Sequence, residues 1–160
     1  MRKHYIRFLR LISFVLLLSL LVSFSYALEN QGGAVISVST FFYEDGSRDV
    51  IMIIRSDPGR TVHTLTGYVI QNHYSSENEL VWRVKLTGTF TYDGTTSSCT
   101  DAYTTITFYK SGWSVLAENT GHTGCTASTC VMLGKNVLGV VLHAATVNLT
   151  LTCDKDGNLS

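Results

Sequence analysis

A single proline, Pro58, stands in the whole chain. No stretch combines a helical apolar period with N- and C-terminal caps, so helical folds are not expected. Motifs with a fixed chemical spacing are missing as well. There is no G-x-S-x-G, no H-E-x-x-H and no phosphate-binding glycine loop. Aspartates and glutamates fall mainly in turns, and spacing alone brings no two of them together. These gaps speak against serine-hydrolase, zinc-protease and nucleotide-dependent chemistry, and no enzyme activity and no cofactor are expected.

Basic residues are scarce beyond the start of the chain. Arg2, Lys3, Arg7 and Arg10 open it without any acid, residues 11–22 (LISFVLLLSLLV) are almost wholly apolar, and Ser25-Tyr26-Ala27 follows. A basic start, a short apolar core and small residues at −3 and −1 predict a signal peptide over 1–27, with the mature chain starting at Leu28. The apolar run is short beside the span of about 20 residues a bilayer needs, and a retained anchor helix is the alternative. No Cys follows Ala27 to carry a lipid, and no second apolar segment or sorting tail stands at the C-terminus, so release to the extracellular space is expected. Four of the twelve basic residues lie in this leader and none of the twelve acidic ones. The remainder therefore has four more acids than bases, which argues against nucleic acid and against membrane association after cleavage. Residues 28–160 suffice for one domain with a single core.

What is present is alternation. Trp82, Val84, Leu86, Gly88, Phe90 and Tyr92 share one parity, and Arg83, Lys85, Thr87, Thr89 and Thr91 the other. That period of two predicts a strand with one dry face, ended by the turn Asp93-Gly94. Alternation also marks Ala34–Phe42 and Tyr103–Tyr109 with Ile106 and Phe108 inward, Thr61–Ile70 reads as a further strand, and Trp113, Val115 and Ala117 share a face of another. Val50–Ile54 is a continuous β-branched run, which suits a strand buried on both faces. Glu44–Ser47 and Ser56–Gly59 read as turns, Asn119–Gly124 as a glycine-rich loop, and Gly134-Lys135-Asn136 as the turn between Thr126–Leu133 and Val137–His143. The last strand places Val147, Leu149, Leu151 and Cys153 inward. About eight short strands predict an antiparallel β-sandwich, immunoglobulin-like or related. The polar segment 71–79 is the one candidate boundary inside it.

Four cysteines, Cys99, Cys125, Cys130 and Cys153, all follow the leader. In an exported chain an even number predicts two disulfides, with three possible pairings. Cys153 ends a core strand and Cys99 sits where a neighbouring strand could begin, which favours Cys99–Cys153. Cys125–Cys130 is then the remaining pair. Fully extended, residues 125–130 would hold the two about 16 Å apart, so this pair requires a bend at Thr126–Thr129. His122 near Cys125 matches no standard zinc spacing. Of the histidines past the leader, His63 and His143 lie within strands, and His73 and His122 in polar or glycine-rich segments. Asp154–Asn158 is only faintly like a calcium loop and reads as a solvated tail.

Trp82, Tyr92 and Trp113 fill the core by parity, although with Tyr103 and Tyr109 they could form a platform for sugar rings. Tyr103 and Tyr109 are out of phase with Ile106 and Phe108, which makes them the candidate surface-binding residues. The outward threonines need no role beyond strand propensity.

The pattern W-R-V-K-L-T-G-T-F-T-Y-D-G-T-T-S-S-C-T (82–100), Trp113 in S-G-W-S-V, and V-N-L-T-L-T-C-D-K-D-G-N-L-S (147–160) resembles small secreted proteins of unknown function from Gram-positive gut bacteria related to clostridia. The resemblance implies a secreted β protein and supports the pairing of Cys99 with Cys153. It implies no activity and no catalytic residue, treats Cys125 and Cys130 as additions, and leaves residues 28–80 outside. The functional expectation is a secreted, non-enzymatic module that binds an extracellular protein or glycan. The alternative is an antagonist acting on a competitor's cell envelope.

Overall fold

The computed structural model describes residues 33–56 and 64–160. The expected signal peptide, Pro58 and His63 lie outside the described residues. Gly33–Ser160 forms one compact unit. It holds eight strands and, among the described residues, no helix: β1 (Ala34–Phe42), β2 (Arg48–Arg55), β3 (Thr64–Tyr74), β4 (Leu80–Tyr92), β5 (Ser97–Phe108), β6 (Trp113–Thr123), β7 (Thr126–Val137) and β8 (Val140–Thr152). Every pairing is antiparallel. The first five strands form one sheet and the last three another, each in plain chain order. This pair of meanders is consistent with a sandwich, but its order is not the interleaved one of an immunoglobulin sheet.

The two sheets share one core. Leu65 and Val69 of β3, Trp82, Val84, Leu86 and Phe90 of β4, Ala127, Val131 and Leu133 of β7, and Val147, Leu149 and Leu151 of β8 are all buried in it. The even positions of β4 therefore face inward, as alternation requires. Gly88 is among them for a steric reason. A Cβ there would lie 2.7 Å from the Phe90 ring, which folds across the bare backbone. β2 is packed on both sides, with Ile51 and Ile53 on this core and Met52 and Ile54 in a second cluster with Tyr68 and Ile70. Lys85, on that second face, lays its ammonium 3.9 Å above the Tyr68 ring.

Several local expectations fail for identifiable reasons. Gln71, Asn72, His73 and Tyr74 are not a linker but the end of β3, paired to both β2 and β4. Only 75–79 turns the chain, so no boundary divides the sheet. β6 runs through Gly121 to Thr123, and the loop shrinks to Gly124-Cys125. Gly134-Lys135-Asn136 stays in β7 with a register shift, and the turn falls at Leu138-Gly139 instead. Both of those residues have positive φ, +51° and +84°, as a tight two-residue hairpin demands. A bulge between Val115 and Ala117 breaks the phase of β6 and leaves Val115 and Leu116 both exposed. Asp154, Lys155, Asp156 and Asn158 are exposed, as a solvated segment requires, but the two residues that follow are anchored, since Leu159 is buried and Ser160 exchanges two backbone hydrogen bonds with Thr152.

The meander order has one spatial consequence. The β1–β2, β3–β4 and β7–β8 turns and the β5–β6 link all fall at the same ends of their strands. The Asp93–Thr96 turn, Gly124-Cys125 and the C-terminus lie at the other.

Candidate functional site

At the first end, two strands carry polar residues on the inward face. On β2 that face reads Asp49, Ile51, Ile53; on β3 it reads Leu65, Gly67, Val69, Gln71, His73. Apolar packing gives way to a hydrogen-bonded group where the strands end. Asp49, only 4% exposed, is its centre. One carboxylate oxygen accepts from the Tyr43 hydroxyl at 2.7 Å and from Gln71 Nε2 at 2.6 Å. The other lies 2.7 Å from His73 Nδ1, directly across the β2–β3 ladder. A buried carboxylate needs donors of this kind, because burial without them would cost several kcal/mol, on the order of the desolvation of one ion.

A row of rings continues from this group. Tyr43 lies 6.4 Å from His73 at 58°, and His73 stacks on Trp82 at 4.9 Å and 12°. Trp82 meets Trp113 at 6.3 Å and 63°, and Trp113 meets His143 at 6.0 Å and 84°. Trp82 is buried, yet its indole N–H has no acceptor among the described residues. A buried orphan donor costs about 1–3 kcal/mol, a cost that concentrates at sites serving something other than stability. These residues, with Asp45, Ser47 and Ala144–Thr146, line a cleft of about 320 Å³. That volume suits a small ligand.

Electrostatics mark the Tyr43 hydroxyl. Its hydrogen bond to Asp49, then burial, then the negative charge of Asp49 and Asp45, hold its pKa up at about 12. The raised value means that folding favours the phenol. Its stabilising contribution is complete below the ordinary value of 10.0 and is lost as the pH rises through about 12. Alkaline difference spectra should therefore show a phenol titrating near pH 12 in the wild type and missing from Tyr43→Phe. Titration of that phenol near 10 would contradict the hydrogen bond.

This group was not legible as a site in the sequence. The available signal was weak: charged or amide residues at inward parity, Asp49 in β2 and Gln71 and His73 in β3. Parity places Trp82 and Trp113 in the core, and they are also walls of the cleft. Tyr103 and Tyr109 are exposed, as their phase implied. They stand apart from the cleft and about 20 Å from each other along one edge strand. Tyr109 has the Arg83 guanidinium 5.9 Å from its ring centre.

The cysteines gather at the other end. None of the four is bridged to another in this structure. The Cys99 N–H donates to the Gly124 carbonyl at 2.7 Å, and the Cys153 N–H to the Cys125 carbonyl at 3.0 Å. Cys99 and Cys153 sit in the main core, and Cys125 is partly exposed in the β6–β7 turn. The expected partner of Cys125, Cys130, is out of reach. β7 runs extended from Thr126 with no bend, holding the two about 16 Å apart. Cys130 also points outward, opposite to Ala127, Thr129 and Val131. Any bridge compatible with these positions lies among Cys99, Cys125 and Cys153. Burial pushes the Cys99 thiol up, and burial followed by the charge of Asp154 pushes Cys153 up to about 11. In the reduced protein, maleimide should modify Cys130 first and Cys153 last. Equal rates in a peptide-mapped time course would contradict this burial order. Among the described residues no cluster of His, Cys, Asp and Glu could hold a metal ion.

No family model, no curated protein and no solved structure matches the chain.

Proposed function

We propose that this protein is a secreted, non-enzymatic binding module whose cleft takes a compact organic cation, of the methylated or quaternary ammonium class. One observation carries the reading. The ring of Trp113 stands at 63° to that of Trp82 and at 84° to that of His143, and all three line the same cleft as Asp49. Steeply inclined rings make walls, whereas a sugar requires a flat exposed ring to stack on. Ring faces attract a cation through their quadrupole, and a nearby carboxylate adds to that field. Such a group would be the recognised feature of a larger extracellular partner.

Trp82 and Trp113 are the only tryptophans of the chain, so intrinsic fluorescence reports on the cleft directly. Choline and tetramethylammonium should give a saturable change that Trp113→Ala abolishes. Saturation by monosaccharides with no response to the cations would replace this reading with glycan binding. A second reading, an antagonist of a competitor's envelope, draws on the exposed apolar hairpin around Leu138.

A further inference from the structure

The β7–β8 hairpin projects past the rest of its sheet. The last residue of β7 that pairs with β6 is Lys135, opposite Trp113. On its other side Lys135 pairs with His143. Asn136 is still tied back, its N–H to the Gly112 carbonyl at 2.6 Å and its amide to the Ser114 hydroxyl at 2.7 Å, and beyond it lie Val137, Leu138, Gly139, Val140, Val141 and Leu142, with no ionisable side chain among them. Val137, Val140, Val141 and Leu142 are all exposed, and Leu138 is 100% exposed. Consecutive residues point to opposite faces of a strand, so both faces of this tip are bare and apolar.

Leu138 is the sharpest anomaly. It occupies a left-handed backbone position, φ +51°, where Asn or Gly is the favoured residue and a bulky side chain is strained. Its side chain gains no packing in return. The fold has no use for a leucine at that position.

We infer that this hairpin inserts into the interfacial layer of a phospholipid bilayer. Three features select lipid over a protein groove. A groove covers one face of a strand pair, whereas lipid surrounds it, and here every side is apolar. The distance from Leu138 back to the Lys135–His143 level is about 10 Å, the depth to which interfacial elements bury their apolar residues. At that level stand Trp113, Lys135 and His143, an indole, an ammonium and an imidazole suited to headgroups and their phosphates. A second apolar element reinforces the assignment. Phe41 and Phe42, the latter 77% exposed, lead into the β1–β2 turn at the same end. The excess of acids over bases, with Glu44 and Asp45 close after Phe42, opposes binding to anionic lipid by charge, so insertion rests on the apolar area alone. The inference does not rest on the ligand of the cleft.

The test is hydrogen exchange on the full chain with and without vesicles of phosphatidylethanolamine and phosphatidylglycerol, which offer no choline. Exchange is read peptide by peptide, so the apolar residues 11–22 cannot supply the signal. Amides of 137–142 should slow in the presence of vesicles. Leu138→Asn, which relieves the strained backbone, should melt no lower than the wild type yet lose that protection until the lipid concentration is about tenfold higher. Unchanged exchange at 137–142 with sedimenting protein would overturn the inference. So would equal protection in Leu138→Asn, or protection that grows with protein concentration alone, which would make the hairpin a contact between two copies of the chain.

Discussion

Phe90→Ala is expected to destabilise the protein by about 3–5 kcal/mol. Phe90 is fully buried in the core that both sheets share, opposite Leu65 on β3 and Cys99 on β5. Its ring also covers Gly88, which has no side chain with which to refill the space. The cavity would therefore persist, because the flanking strands are held in register on both sides. Thr89→Ala, one residue away on the opposite face, removes a methyl and a hydroxyl that lies 3.4 Å from the Thr66 hydroxyl. It should change stability by well under 1 kcal/mol. Urea titration of both variants measures the contrast. Similar midpoint shifts would mean that the faces of β4 are assigned the wrong way round.

Asp49→Ala is expected to cost about 3 kcal/mol, because it strands three donors at once. Gln71 is buried and cannot turn its amide to solvent, Tyr43 loses its acceptor, and His73 loses the group that orients its ring against Trp82. Water entering the cleft would satisfy some of them, which keeps the cost below the sum of three bonds to a charge. Asp45→Ala is the comparison. Asp45 also accepts two hydrogen bonds, from the Ser47 backbone and hydroxyl, but it lies in an exposed turn. Its loss should cost under about 1 kcal/mol. Denaturant melts of the two variants decide, and an Asp49→Ala protein as stable as the wild type would remove Asp49 from its central place.

The strand readings that held rest on strong periodicity. From Trp82 to Tyr92 alternation is unbroken, and in β2 a β-branched run packs on both faces. The readings that failed involve residues whose local meaning is ambiguous. Glycines and polar residues at 119–124 look like a loop, but pairing with β7 keeps them extended. Gly134-Lys135-Asn136 looks like a turn, but the chain turns at Leu138-Gly139, where one residue has poor chemistry for it. The polar segment 71–79 looks like a joint, because its amide and imidazole are spent on a buried carboxylate that lies 22 or more residues earlier. No local pattern announces a partner at that separation.

The sequence by itself determined that the described residues form an all-β chain of about eight strands, and which parity of β4, β5 and β8 is dry. Alternation is a local property of the extended backbone, so neighbours in the chain suffice to reveal it. Only the tertiary structure decided which strands meet. The meander order brings Asp49, Gln71 and His73 into one cleft with Trp82, Trp113 and His143, gathers Cys99, Cys125 and Cys153 while excluding Cys130, and leaves the tip of the β7–β8 hairpin exposed. Those outcomes depend on register and on which sheet covers which face, quantities set by long-range pairing and invisible to any window of the sequence.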